Sequence, residues 1–156
     1  MTVNRGKKFE EVVKSAFLKV PETSIDRIHD QTTGYLGGRN ICDFIVYHYP
    51  YEYYIECKSV HGNVLPLTNI TSRQWAGLLE KSEIDGVIAG VIVWFIDKDI
   101  TYFVSIEELQ HAEGYGKKSI RYDDQFIKKI DISGKKKRVF FEYDMETFFN
   151  NFEDKK

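Results

Sequence analysis

Three residues near the middle of this chain have the types and spacing for chemistry: Asp43, Glu56 and Lys58, in the pattern Asp-x12-Glu-x-Lys. Two runs rich in β-branched and aromatic residues, 41–47 and 52–58, flank Tyr49 and Pro50. Such runs predict two strands joined by a turn. Proline cannot take a positive φ, so a four-residue loop over 48–51 is expected rather than a two-residue primed turn. That hairpin sets Asp43 opposite Glu56, with Cβ atoms about 5 Å apart. Residues two apart on a strand share a face, so Lys58 joins them. Phe44, Val46, Ile55 and Cys57 then form an apolar opposite face.

Opposed carboxylates repel each other. A divalent cation removes that cost, and Mg²⁺ takes one or two carboxylates with water and substrate phosphate completing its shell. A lysine beside it can orient a water or stabilise charge developing on phosphorus. The competing reading of the same spacing is an edge hairpin whose polar face is merely solvated.

Around this hairpin the periodicity predicts the elements that must position it. Phe9, Val12, Val13, Ala16, Phe17 and Val20 recur at helical spacing, giving a helix over 3–19 with Asn4 as N-cap and Pro21 beyond its end. Glu10 lies beside that apolar stripe, and Arg5 and Lys7 lie on the more exposed side, within reach of phosphate or simply solvated. A short strand is expected over 24–29. The segment 30–40, DQTTGYLGGRN, is polar and glycine-rich and reads as a loop. Its Arg39 either contacts phosphate or belongs to a plain turn. After Lys58, 59–63 is a turn region and 64–67 is extended. Thr71 or Ser72 caps a helix through Glu83, with Trp75, Leu78 and Leu79 facing the core; Arg73 and Gln74 lie in its first turn.

The run over 86–96 is the most hydrophobic and reads as a central buried strand, followed by another over 101–104. Ser105 caps a helix over 106–111, with Glu108 placed for a capping box. The run Lys135, Lys136, Lys137, Arg138 reads as a basic hairpin tip between strands over 127–132 and 139–143. It is either solvated or a secondary DNA contact. Phe148, Phe149 and Phe152 mark one face of a terminal helix over 145–152, which either closes the core or meets a second subunit.

Asp43, Glu56 and Lys58, read with Cys57 as Asp-x12-Glu-Cys-Lys, resemble the catalytic signature of the PD-(D/E)XK, restriction-endonuclease-like nucleases. The ordered set is narrower. Asn4-Arg5-Gly6 with Phe9-Glu10, then Pro66-Leu67-x-Asn69 with Gln74, then Lys118-Ser119-Ile120-Arg121 resemble RecU-type Holliday junction resolvases. The resemblance implies an α/β fold, a mixed β-sheet core flanked by helices. It also implies Mg²⁺- or Mn²⁺-dependent cleavage of four-way DNA junctions by a homodimer, since symmetric incision needs two sites related by a two-fold axis. Asp43 and Glu56 would hold the metal, Lys58 would assist the attacking water, Glu10 would support the metal shell and Gln74 would help position substrate. Arg5, Lys7, Arg39 and Arg73 would contact DNA. One departure stands out. Typical members insert a long stalk before the catalytic Asp, whereas here only the segment 20–42 follows the first helix. That leaves a general or branched-DNA nuclease as the alternative activity and a non-catalytic DNA-binding protein of the same fold as a third reading.

Composition bounds these readings. A chain of 156 residues, 42% hydrophobic and 29% charged, suits one domain (1–156) built on a single core. No apolar run reaches the roughly 18–20 residues of a membrane span, and the N-terminus lacks a signal peptide's apolar region, so a cytoplasmic location is expected. Net charge is only −2, so affinity for DNA must come from local patches and a metal site. Cys42 and Cys57 are placed to face each other on the core side of the hairpin as free thiols in a reducing compartment.

Overall fold

The computed structural model describes residues 4–28 and 40–152. The elements run α1 (Arg5–Leu18), β1 (Ser24–Arg27), β2 (Phe44–His48), β3 (Tyr51–Val60), β4 (Val64–Pro66), α2 (Ser72–Ser82), β5 (Val87–Phe95), β6 (Ile100–Ser105), α3 (Ile106–Gly114), β7 (Ser119–Arg121), β8 (Ile130–Asp131), β9 (Gly134–Lys136), β10 (Phe141–Tyr143) and α4 (Met145–Asn150). Six strands form one sheet in the order β1-β2-β3-β5-β6-β8. β3 and β5 pair in parallel; the other neighbours are antiparallel. The sheet is therefore mixed, with the hydrophobic run of β5 at its centre, as the sequence predicts.

Strand alternation assigns each face of the sheet to its own helices. On β5, Ala89, Val91, Val93 and Phe95 pack with Leu78 of α2 and with Ile106, Leu109 and Ala112 of α3. Ile92 and Trp94 point the other way, to Phe9, Val13 and Phe17 of α1 and Phe148 and Phe149 of α4. The result is three layers, helix–sheet–helix. Asn4 caps α1, its side chain accepting from Lys7 N–H at 3.2 Å. The aromatic face of α4 closes the core. The Phe148 ring lies 5.4 Å from Phe103, 5.8 Å from Tyr53 and 5.9 Å from Phe17.

The structure departs from the sequence expectations in several places. Strand pairing continues to His48 and Tyr51, so Tyr49–Pro50 alone makes the turn, through a cis peptide. The expectation of a longer loop considered only primed turns, whose positive φ proline cannot adopt. β2 begins at Phe44 and not at 41, so strand alternation stops there. Cys42 packs in the α2/α3 layer and Cys57 in the α1/α4 layer, and the two thiols do not face each other. Both are free, and burial pushes the Cys42 thiol up to about 12. The C-terminal hairpin joins β9 to β10, while β8 pairs with β6. Its basic run is partly neutralised, Lys136 by Asp99 at 2.8 Å and Lys137 by Glu142 at 3.5 Å. Ser105 caps α3, but the Glu108 carboxylate accepts from Lys128 N–H instead of closing a capping box.

Phe148 is 1% exposed and touches rings from three elements. Phe148→Ala is expected to lower the unfolding free energy by about 3–5 kcal/mol, the usual cost of a large aromatic-to-alanine cavity. Urea unfolding measures this; a loss under about 1 kcal/mol would mean α4 only covers the core.

Candidate active site

The site begins where β2 is cut short. Asp43 N–H donates to Ile55 C=O at 3.0 Å and Asp43 C=O accepts from Ile28 N–H at 2.9 Å, so its backbone ties β1 to β3. Beyond it the chain bends away, leaving Cys57 N–H without the carbonyl that a longer β2 would have supplied. Asp43 Oδ2 takes that N–H at 2.9 Å. The register Phe44–Ile55 is the one predicted, and it brings Asp43 beside Glu56.

Glu56, on β3, is 4% exposed. Its Oε2 accepts from Lys58 Nζ at 3.0 Å and from Gln74 Nε2 at 3.0 Å. Its Oε1 is buried and has no hydrogen-bond partner among the described residues. Burial first, then the charge of Asp43, pushes the Glu56 carboxyl up to about 8, against a smaller opposing pull from Lys58.

Gln74 is held at both ends. Its N–H donates to Thr71 Oγ1 at 3.1 Å and its Oε1 accepts from Thr71 N–H at 3.0 Å, a complete capping box at the start of α2. The box fixes the amide so that its NH₂ is aimed at Glu56. The sequence placed Gln74 in this first turn, where the resemblance implies a part in positioning substrate; the structure shows its amide on the Glu56 carboxylate.

Glu10, one turn into α1, lies near Asp43 from the other layer. Burial and the charge of Asp43 raise its carboxyl above the ordinary value, with Arg27 opposing. Arg27 Nη2 sits 2.8 Å from Glu10 Oε1, a close charge contact rather than a well-aligned hydrogen bond. The same guanidinium lies 5.7 Å from the Phe44 ring, its cross-strand neighbour. Sequence reasoning missed Arg27, because only the pairing of β1 with β2 brings it to Glu10. Arg5 and Lys7 are exposed in the first turn of α1, and Arg73 is exposed beside Gln74. Arg39 lies outside the described residues.

Among the described residues, no three His, Cys, Asp or Glu side chains form a ready metal cage. The donor set suits a hard cation that needs only one or two carboxylates and keeps its waters. The unshared Glu56 Oε1 is the atom it would take.

The two segments that resemble the family outside this centre are joined directly. β4 pairs with β7, with Pro66 opposite Ser119 and Val64 opposite Arg121, and Leu67 N–H donates to Lys118 C=O at 2.9 Å. Leu67 and Lys118 line a cleft with Thr71, Ser72 and Trp75 at the start of α2.

A mixed sheet between helices, with Asp43, Glu56 and Lys58 at the end of a β-hairpin, defines a restriction-endonuclease-like nuclease fold. The family model for Recombination protein U matches residues 4–144, and the chain belongs to that family of Holliday junction resolvases. Membership implies an endonuclease. Among solved structures the fold matches that of Archaeoglobus fulgidus Hjc, a Holliday junction resolvase from an archaeal hyperthermophile, with a TM-score of 0.55 and 17% identity over 78% of this chain and 91% of that one. No relative is found among the curated proteins.

The raised Glu56 carboxyl makes stability pH-dependent. Between its ordinary value near 4.5 and about 8, the folded state holds a proton that the unfolded state has lost. Stability without metal therefore falls as pH rises through that window. Glu56→Gln removes this loss. In chelator its melting temperature is expected to exceed the wild type's at pH 8 and above, with the difference shrinking towards pH 5. Parallel melting curves across this range would contradict a desolvated, repelled carboxylate.

Proposed function

We propose that the chain acts, as a single nuclease domain paired in a homodimer, as an Mg²⁺- or Mn²⁺-dependent endonuclease that resolves four-way DNA junctions. One observation carries this reading. A buried glutamate with one unshared oxygen lies beside a second carboxylate, while a lysine and a glutamine hold its other oxygen. Such a pair is costly unless a cation joins it.

Asp43 and Glu56 would hold the cation, which when bound would polarise the scissile phosphate and lower the pKa of a water. Lys58 stands at the rim, 20% exposed, where its ammonium reaches Glu56 Oε2 and can turn towards an attacking water or the developing phosphorane charge. Gln74 keeps Glu56 in one rotamer, so the carboxylate needs no reorganisation when DNA arrives. Glu10, with Arg27 balancing it, sets the charge on the far side of Asp43. Arg5, Lys7, Arg73 and Arg39 would hold phosphates and fix register without reading sequence. A homodimer related by a two-fold axis would place two such sites on opposed strands.

The general or branched-DNA nuclease reading is favoured by one feature. Only the segment 20–42 separates the first helix from Asp43, where typical members of the family insert a long stalk.

Asp43→Asn is expected to lower cleavage of a four-way junction by roughly 10³-fold or more, while junction affinity in Ca²⁺ stays within about threefold. Lys58→Ala should reduce kcat far more than affinity, because a single phosphate contact among many adds little to binding. Near-normal cleavage by Asp43→Asn in Mg²⁺ would remove the assignment. Equal cleavage of junction and linear duplex by the wild type would replace the resolvase with the general nuclease.

A further inference from the structure

Glycine is among the residues that a helix interior selects against, yet Gly77 sits in the middle of α2. The reason lies across the layer. A Cβ built at position 77 would fall 2.6 Å from Ile41 Cβ, closer still to its Cγ2, and 3.3 Å from its Cδ1. Real side chains do not approach so closely, so the missing Cβ is the space that Ile41 occupies.

Ile41 lies two positions before Asp43. Residues 40–43 are outside any strand, so no ladder of their own fixes them before Asp43. Their anchors include the packing of Ile41 and Cys42 in the α2/α3 layer, the backbone bonds of Asp43 to Ile55 and Ile28, and the bond from Cys57 N–H to Asp43 Oδ2. Gln74 and Gly77 are three apart, so they lie on one face of α2. That face holds Glu56 through the Gln74 amide at 3.0 Å and receives Ile41 at Gly77.

The geometry points to Gly77 and Ile41 as a positioning pair: α2 uses a knob-and-socket contact to set the Asp43 segment against the same helix that orients Glu56. The two carboxylates arrive on different stretches of chain, and this helix face touches both stretches. The pair acts through Asp43 and has no contact with substrate of its own. The inference rests on the reading that Asp43 and Glu56 form the reaction centre.

The test is a double-mutant cycle on the full chain with Gly77→Ala, Ile41→Gly and both together. Alanine at position 77 improves helix propensity, so a purely local effect would leave the protein at least as stable and as active. Gly77→Ala is expected to weaken Mn²⁺ binding, measured by calorimetry without DNA, by about tenfold. It should lower junction kcat by a similar or larger factor while junction affinity in Ca²⁺ stays within about twofold. Ile41→Gly removes Ile41 Cβ, Cγ2 and Cδ1, all three atoms that the new methyl would meet, and the double variant should regain at least half of both losses on a logarithmic scale. Wild-type Mn²⁺ affinity in a folded Gly77→Ala protein would overturn the proposal, and so would losses in the double variant equal to the sum of the single ones. If Gly77→Ala unfolds, recovery of fold and Mn²⁺ affinity in the double variant supports the pair, and failure to recover overturns it. If the wild type cleaves no junction but Gly77→Ala still loses Mn²⁺, the resolvase reading falls and the positioning role stands.

Discussion

Everything about this site follows from placing like charges where there is little water. Three carboxyl groups, Glu10, Asp43 and Glu56, meet at the end of the β2–β3 hairpin, and two cations, Lys58 and Arg27, face them. With every group ionised, one negative charge is left over. Two unit charges about 4 Å apart interact by roughly 4 kcal/mol at an effective dielectric near 20, too much to leave unbalanced. Glu56 resolves the excess by holding a proton, its carboxyl raised to about 8. On the proposed reading, a divalent ion held by Asp43 and Glu56 would neutralise the same charge without that proton.

The fold is arranged to maintain that tension. A carboxylate free to rotate would turn to solvent and relieve it. Glu56 cannot, because its strand is internal, paired with β2 on one side and β5 on the other, and its Oε2 is bonded twice. Asp43 cannot, because its side chain completes the hydrogen bonding of Cys57 and its backbone joins two strands. The capping box of α2, normally a stability device, here immobilises the glutamine that holds Glu56. Helix-start chemistry and site chemistry are thus one set of hydrogen bonds.

How much of this could be read from sequence depended on whether a feature was local. The hairpin register was readable because a turn centred on Tyr49 and Pro50 sets which residues oppose each other, and the apolar alternation of Phe44, Val46 and Ile55 agrees with it. The start of α2 was readable from Thr71 and the residues that follow it. The central strand was readable from an unbroken apolar run. What could not be read depended on contacts between distant segments. The pairing of β4 with β7 joins three-residue strands separated by more than one-third of the chain, with no alternation long enough to signal either. Arg27 reaches Glu10 only through the position of β1 in the sheet. Cys42 left its expected face because β2 begins only at Phe44, so strand alternation does not extend back to it. The direction of the Gln74 amide follows from the cap, and no spacing rule contains it.

The ionisation of Glu56 tests the central claim most directly. With carboxyl-¹³C glutamate introduced into the protein and the Glu56 resonance assigned by Glu56→Gln, its carbon shift is followed against pH in chelator and again in saturating Mg²⁺. A buried carboxylate waiting for a cation predicts titration near pH 8 without metal and a carboxylate already ionised at pH 6 with it. Titration near 4.5 in both conditions would contradict the account, because the pair would then need no cation to hold it together.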